Sequence, residues 1–97
     1  MELFGNKKAK IQDFMERGAL IVDVRSKSEF ETGAISGSKN IPLQQISIIA
    51  SELKKLNKPI IACCAIGVRS ESAAKILKSK GIEAMNGGGW KSLNKKL

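Results

Sequence analysis

Ninety-seven residues, 42% hydrophobic and 27% charged, describe one globular domain over residues 1–97 with room for a single modest core. No apolar run is long enough to span a membrane, and Met1 to Lys10 has no apolar stretch followed by a small-residue cleavage site, so neither a membrane nor export is expected. The formal charge of +8 suits an anionic substrate or an acidic partner, but aromatic content is only 4% and lysines are spread over every segment, so nucleic acid is not expected.

Lys7 to Arg17 carries Ile11, Phe14 and Met15 at helical spacing, with Gly18 as a left-handed stop; this predicts an amphipathic helix. Ala19 to Val24 is continuous and β-branched, as in a strand buried on both faces of a parallel sheet. Asp23 then falls at the carboxyl edge, where open α/β sheets place ligands. Ser26 to Glu29 fits a capping box opening a short helix that runs to about Thr32, with Phe30 as its core contact. Asn40-Ile41 reads as a very short strand halted by Pro42.

Gln44 to Leu56 puts Ile46, Ile49, Ala50, Leu53 and Leu56 on one stripe, a second amphipathic helix. After the break at Asn57 to Pro59, Ile60 to Cys63 is a strand. A helix follows with Ser70 as its N-cap and Gly81 as its end. Ile82 to Met85 is the last strand, and Gly87 to Gly89 turns the chain into a terminal segment holding Trp90 and Leu93. Strands alternating with helices predict a parallel α/β sheet.

The chemistry concentrates in Cys63-Cys64-Ala65-Ile66-Gly67-Val68-Arg69-Ser70. A thiol there sits where a buried strand ends and a helix begins. Helix-start N–H groups lack intrahelical partners, and the macrodipole adds positive charge. Gly67 lets the turn fold those N–H groups into an anion nest, and Arg69 places a charge at its rim. Each of these favours a thiolate at Cys64. The chain has no histidine, so no imidazole can act as base and activation falls to the nest. Such a nucleophile needs a sulfur open to solvent and amides turned inward.

Cys64-x-x-Gly67-x-Arg69-Ser70 resembles the active-site loop of rhodanese-like domains, which are sulfurtransferases. Leu20 to Arg25, then Glu29-Phe30, Gly33-Ala34-Ile35, Gly37 and Asn40 to Leu43 resemble that family's other signature, and with Gly87-Gly88 the likeness covers about residues 19 to 90. Ala34 departs from it, since histidine usually follows the equivalent of Gly33, and Trp90 follows the glycines more closely than is common. The resemblance implies a five-stranded, mostly parallel sheet flanked by helices on both faces.

The expected reaction is sulfane sulfur transfer through a Cys64 persulfide. The donor is a small anion, thiosulfate or a persulfide, and the acceptor a thiol or cyanide, with a protein persulfide among the candidate partners. Backbone N–H groups from Ala65 through Ile66, Gly67 and Val68 to Arg69 would hold the anion, Ser70 would complete this substrate-binding loop as well as cap the helix, and Asp23 and Arg25 would support the loop. Arg69 either orients the anion or pairs with a nearby carboxylate. No cofactor and no metal ion is expected to enter this chemistry, a monomer is expected, and a free thiol suits the reducing cytoplasm.

Two other classes stand beside it. Cysteine phosphatases also use a thiolate in an arginine-closed nest, but typically with five residues between cysteine and arginine, where this chain has the four from Ala65 to Val68. The third class is a non-catalytic or redox-sensing interaction module, and in redox sensing Cys63 would serve as a resolving thiol for Cys64. Adjacent strand residues point to opposite faces, so core packing is the preferred role for Cys63.

Overall fold

The computed structural model describes residues 6–97. In chain order they form α1 (Lys7–Glu16), β1 (Leu20–Asp23), α2 (Lys27–Glu31), β2 (Lys39–Asn40), α3 (Leu43–Lys55), β3 (Ile60–Cys64), α4 (Val68–Ser79), β4 (Ala84–Gly89) and α5 (Trp90–Asn94). The expected capping box is present: Ser26 accepts from the Glu29 amide while the Glu29 carboxylate accepts from the Ser26 amide. Among the described residues no helix is long and apolar enough to cross a membrane.

The strands pair in the order β2-β1-β3-β4, every pair parallel. The described residues thus form four strands rather than the five expected. Central, fully buried β3 is Ile-Ile-Ala-Cys-Cys, the uninterrupted apolar run that a two-sided parallel sheet requires.

Alternation along the strands sends side chains to two cores. Val22, Val24, Ala62 and Cys64 meet Ile46, Ala50 and Leu53 of α3 and Ala73 and Leu77 of α4. Ile21, Ile61, Cys63 and Met85 meet Ile11 and Phe14 of α1 and Leu93 of α5. Fully burying one such aliphatic side chain stabilises the fold by about 1.5–3 kcal/mol. Cys63 and Cys64, neighbours in sequence, therefore belong to opposite faces of the sheet.

The glycine run departs from its expected role. It is the second half of β4, pairing Gly88 with Cys63 and Gly89 with Cys64 after a register shift between Ala62 and Cys63. Ile82, expected to open this strand, instead donates its N–H to the Leu77 carbonyl and closes α4. Glycine is needed where the backbones crowd together. A Cβ on Gly87 would lie 2.7 Å from Ile61 Cγ2 and 2.9 Å from Leu93 Cδ2, and one on Gly89 would lie 2.7 Å from the Ala65 carbonyl oxygen.

Candidate active site

β3 ends at Cys64, and Ala65 to Gly67 turn the chain directly into α4. Gly67 has φ +99°, a left-handed conformation that an L side chain rarely adopts, and it is the N-cap of α4. Ser70 was the expected cap. It lies instead inside the first helical turn, fully buried, with its side chain turned back toward the cysteine.

The amides face inward. Gly67 N–H donates to Cys64 Sγ at 3.0 Å and Ser70 N–H at 3.4 Å. Ser70 Oγ lies 3.3 Å from the sulfur. Burial pushes the Cys64 thiol up, but the Ser70 hydroxyl, when it turns its proton to the sulfur, together with the amides of Ser70, Gly67 and Ile66 outweighs it, so the thiol lies below its ordinary value. Within the expected loop Ala65 to Ser70, the amides that donate to the sulfur itself are those of Gly67 and Ser70.

Access is the point on which the structure departs from expectation. Cys64 is 1% exposed, not open to solvent. Part of the cover is the loop itself, since amides close enough to bond the sulfur also shut out water. The loop side chains lie outward, with Ile66 81% and Val68 66% exposed.

Arg69 does not stand free at the rim. Its Nη1 and Nη2 donate to the two carboxylate oxygens of Glu29 at 2.7 and 3.0 Å, pinning α4 to α2. The Arg69 guanidinium holds the Glu29 carboxyl well down, to about 2, helped by the Ser26 amide.

Asp23 and Arg25 lie on the other face. Asp23 is aligned with Cys63 in the β1–β3 register, and its carboxylate accepts from Arg25 Nε and Nη2, the shortest bond being 2.7 Å. Arg25 also donates to the Gly33 and Glu29 carbonyls and stacks on Trp90, 4.9 Å from the ring centroid. So the pair braces the α2 turn and α5, and Asp23 is directed away from the Cys64 sulfur. Cys63, also on that face, is fully buried; desolvation, aided by Asp23, pushes its thiol up to about 12.

Asn86 was missed. From β4 its Nδ2 donates to the Gly67 carbonyl (3.0 Å) and to Glu71 (3.2 Å), while its Oδ1 accepts from the Ser70 hydroxyl (2.6 Å) and the Gly88 amide (2.9 Å). The available signal was an asparagine, a poor strand former, just ahead of a glycine run.

A family model for the rhodanese-like domain matches residues 7–96. The chain belongs to the rhodanese-like domain family. The uncharacterized protein YqhL of Bacillus subtilis is 42% identical over 65 residues, covering 67% of this rhodanese-like chain and 51% of YqhL, so the chain spans about half the length of that relative. The thiosulfate sulfurtransferase GlpE of Pseudomonas fluorescens (strain SBW25) is 33% identical over 82 residues, which is 79% of this chain and 72% of GlpE. Among solved structures, a rhodanese with anions from E. coli superposes with a TM-score of 0.68 at 29% identity, covering 76% of this chain and 89% of that one. The rhodanese-like domain thus has relatives named for sulfur transfer.

Proposed function

We propose that this rhodanese-like domain is a sulfurtransferase that carries sulfane sulfur on Cys64. The observation that supports it is the convergence of the Gly67 and Ser70 amides on one sulfur in a chain without histidine. In the first step the Cys64 thiolate attacks the outer sulfur of an anionic donor such as thiosulfate. A bond forms between the two sulfurs, the donor's own S–S bond breaks, and its electron pair leaves with sulfite. In the second step a thiolate or cyanide attacks the outer sulfur of the persulfide, and the electron pair of the broken S–S bond returns to Cys64.

The amides stabilise the attacking thiolate and then the persulfide anion, as fixed dipoles aimed at developing charge. Arg69, held by Glu29, sets positive charge beside the loop. Asp23 and Arg25 brace the framework. Cys64 lies beneath the Ala65–Gly67 turn, so a protein persulfide or a small anion would meet the exposed Ile66 and Val68 first. The chemistry suits a reducing compartment such as the cytoplasm.

Mass spectrometry of the intact chain after incubation with thiosulfate tests this. The wild type gains the mass of one sulfur atom and releases it to cyanide; Cys64→Ser gains nothing. A wild type that stays unloaded with thiosulfate and with persulfide donors overturns the assignment, and hydrolysis of a phosphate ester in a parallel assay would reassign the loop to phosphate chemistry.

A further inference from the structure

The Ser70 hydroxyl has one proton and two neighbours that want it. Asn86 Oδ1 lies 2.6 Å away and Cys64 Sγ lies 3.3 Å away. The surroundings of Asn86 decide where the proton rests. Its amide group meets an N–H of Gly88 on one side, and the Gly67 carbonyl with the Glu71 carboxylate on the other. Turned over, the amide would set donor against donor and acceptor against acceptor, so only one orientation satisfies all of these partners. Oδ1 therefore faces Ser70 and accepts, and the hydroxyl proton is committed to it. What Ser70 presents to the sulfur is a lone pair.

We infer that Asn86 is a positioning residue that restrains ionisation of Cys64 by holding the only proton of Ser70. With Cys64 as a thiol, S–H donates to Ser70 Oγ and O–H donates to Asn86 Oδ1, a satisfied and mutually polarising chain. With Cys64 as a thiolate, that lone pair faces an anion. Relief comes when the hydroxyl turns toward the sulfur, which forfeits its bond to Asn86. The loop amides favour the thiolate and the Asn86–Ser70 bond favours the thiol; their balance sets how much of the nucleophile is armed at rest.

Other charges around the sulfur are already engaged. Arg69 of α4 is paired with Glu29 of α2, Glu71 of α4 accepts from Asn86, and Asp23 of β1 is paired with Arg25 across the sheet, where Cys63 of β3 is protonated. From α1, the Lys7 ammonium lies against Gly88, 3.2 Å from where a Cβ would stand.

The inference rests on Cys64 being the reactive thiol and not on the identity of the sulfur donor. The test is the rate of iodoacetamide alkylation of the full chain against pH, read by mass, with Cys64→Ser as the blank. Asn86→Val frees the hydroxyl for the sulfur and lowers the midpoint by about half to one pH unit, whereas simple loss of loop order would raise it. In a Ser70→Ala background the same substitution produces no fall. An unmoved or raised midpoint in Asn86→Val, or an equal fall in both backgrounds, overturns the inference.

Ser70→Ala alone carries the test if Asn86→Val does not fold. It moves the midpoint by less than about half a unit, because the thiol loses an acceptor as the thiolate loses a donor; a rise of about one unit or more would mark the hydroxyl as a committed donor to the sulfur and overturn the proposal. Since thiosulfate takes no part, a shifted midpoint in a chain that never loads sulfur sinks the transferase assignment alone, and a chain that loads sulfur with an unmoved midpoint sinks only the role of Asn86.

Discussion

Cys63 and Cys64 share a peptide bond, a strand and almost complete burial, yet their surroundings pull them in opposite directions. Cys63 faces the α1 and α5 side, among Ile11, Phe14, Ile61 and Leu93, with the Asp23 carboxylate nearby. Nothing among the causes that raise it is offset by a backbone donor, and its thiol is pushed up to about 12. Cys64 faces the other side, where the strand has just ended and unpaired amides of the turn and first helical turn point at it. Burial alone therefore says little about a cysteine. What separates these two is whether the atoms that exclude water also donate hydrogen bonds to the anion.

The sharpest way to break the comparison is to alkylate both thiols over a range of pH. Cys64 should react with a midpoint below the ordinary thiol range, while Cys63 stays unmodified in the folded chain and reacts only on unfolding, a rate difference of roughly two orders of magnitude or more at neutral pH. Peptide mapping of the adduct checks it. Modification of Cys63 at a comparable rate in the folded chain would erase the distinction between the faces.

The second prediction probes the Cys63 face. Side chains of Asp23 and Arg25 are 0% and 4% exposed, and each satisfies the other. Removing one partner strands a buried charge, so Asp23→Asn should lower the unfolding free energy by about 3–5 kcal/mol in urea titration. Replacing both, as Asp23→Leu with Arg25→Met, should cost less than the single change. A loss below about 1 kcal/mol in Asp23→Asn would mean that water reaches the pair.

Much of this contrast was legible in the sequence, and the illegible part has physical causes. Strand alternation alone separates the faces of Cys63 and Cys64, and the run Ile60 to Cys63 marks a strand buried on both sides. The Ser26–Glu29 capping box also follows from spacing, because its bonds are local. Asn86 did not, since its four bonds join β4 to residues 15 to 19 positions earlier and to Gly88, and no local pattern announces a long-range hub. Ser70 looked like a cap because caps are usually serine, but Gly67 takes that place: only the left-handed turn brings the Ser70 amide round to the sulfur. The openness expected of Cys64 failed for a related reason, as the donors that stabilise its anion also cover it.

The smallest effect concerns the rim of the Cys64 face, where the Arg69–Glu29 pair is 38% exposed on both sides and screened by solvent. Glu29 has its carboxyl lowered from 4.5 to about 2 in the fold, chiefly by the Arg69 guanidinium. A lowered carboxyl contributes stability that is fully present above about 4.5 and is lost as the pH falls through about 2. Wild type should therefore melt slightly above Glu29→Gln at neutral pH, and the gap should close progressively over that acid window. Salt should narrow it as well, because the pair is exposed. A gap that stays constant from neutral pH to the bottom of the window would assign the effect of Glu29 to its capping bonds with Ser26, which an amide oxygen can also accept, and would leave Arg69 free to meet an anion.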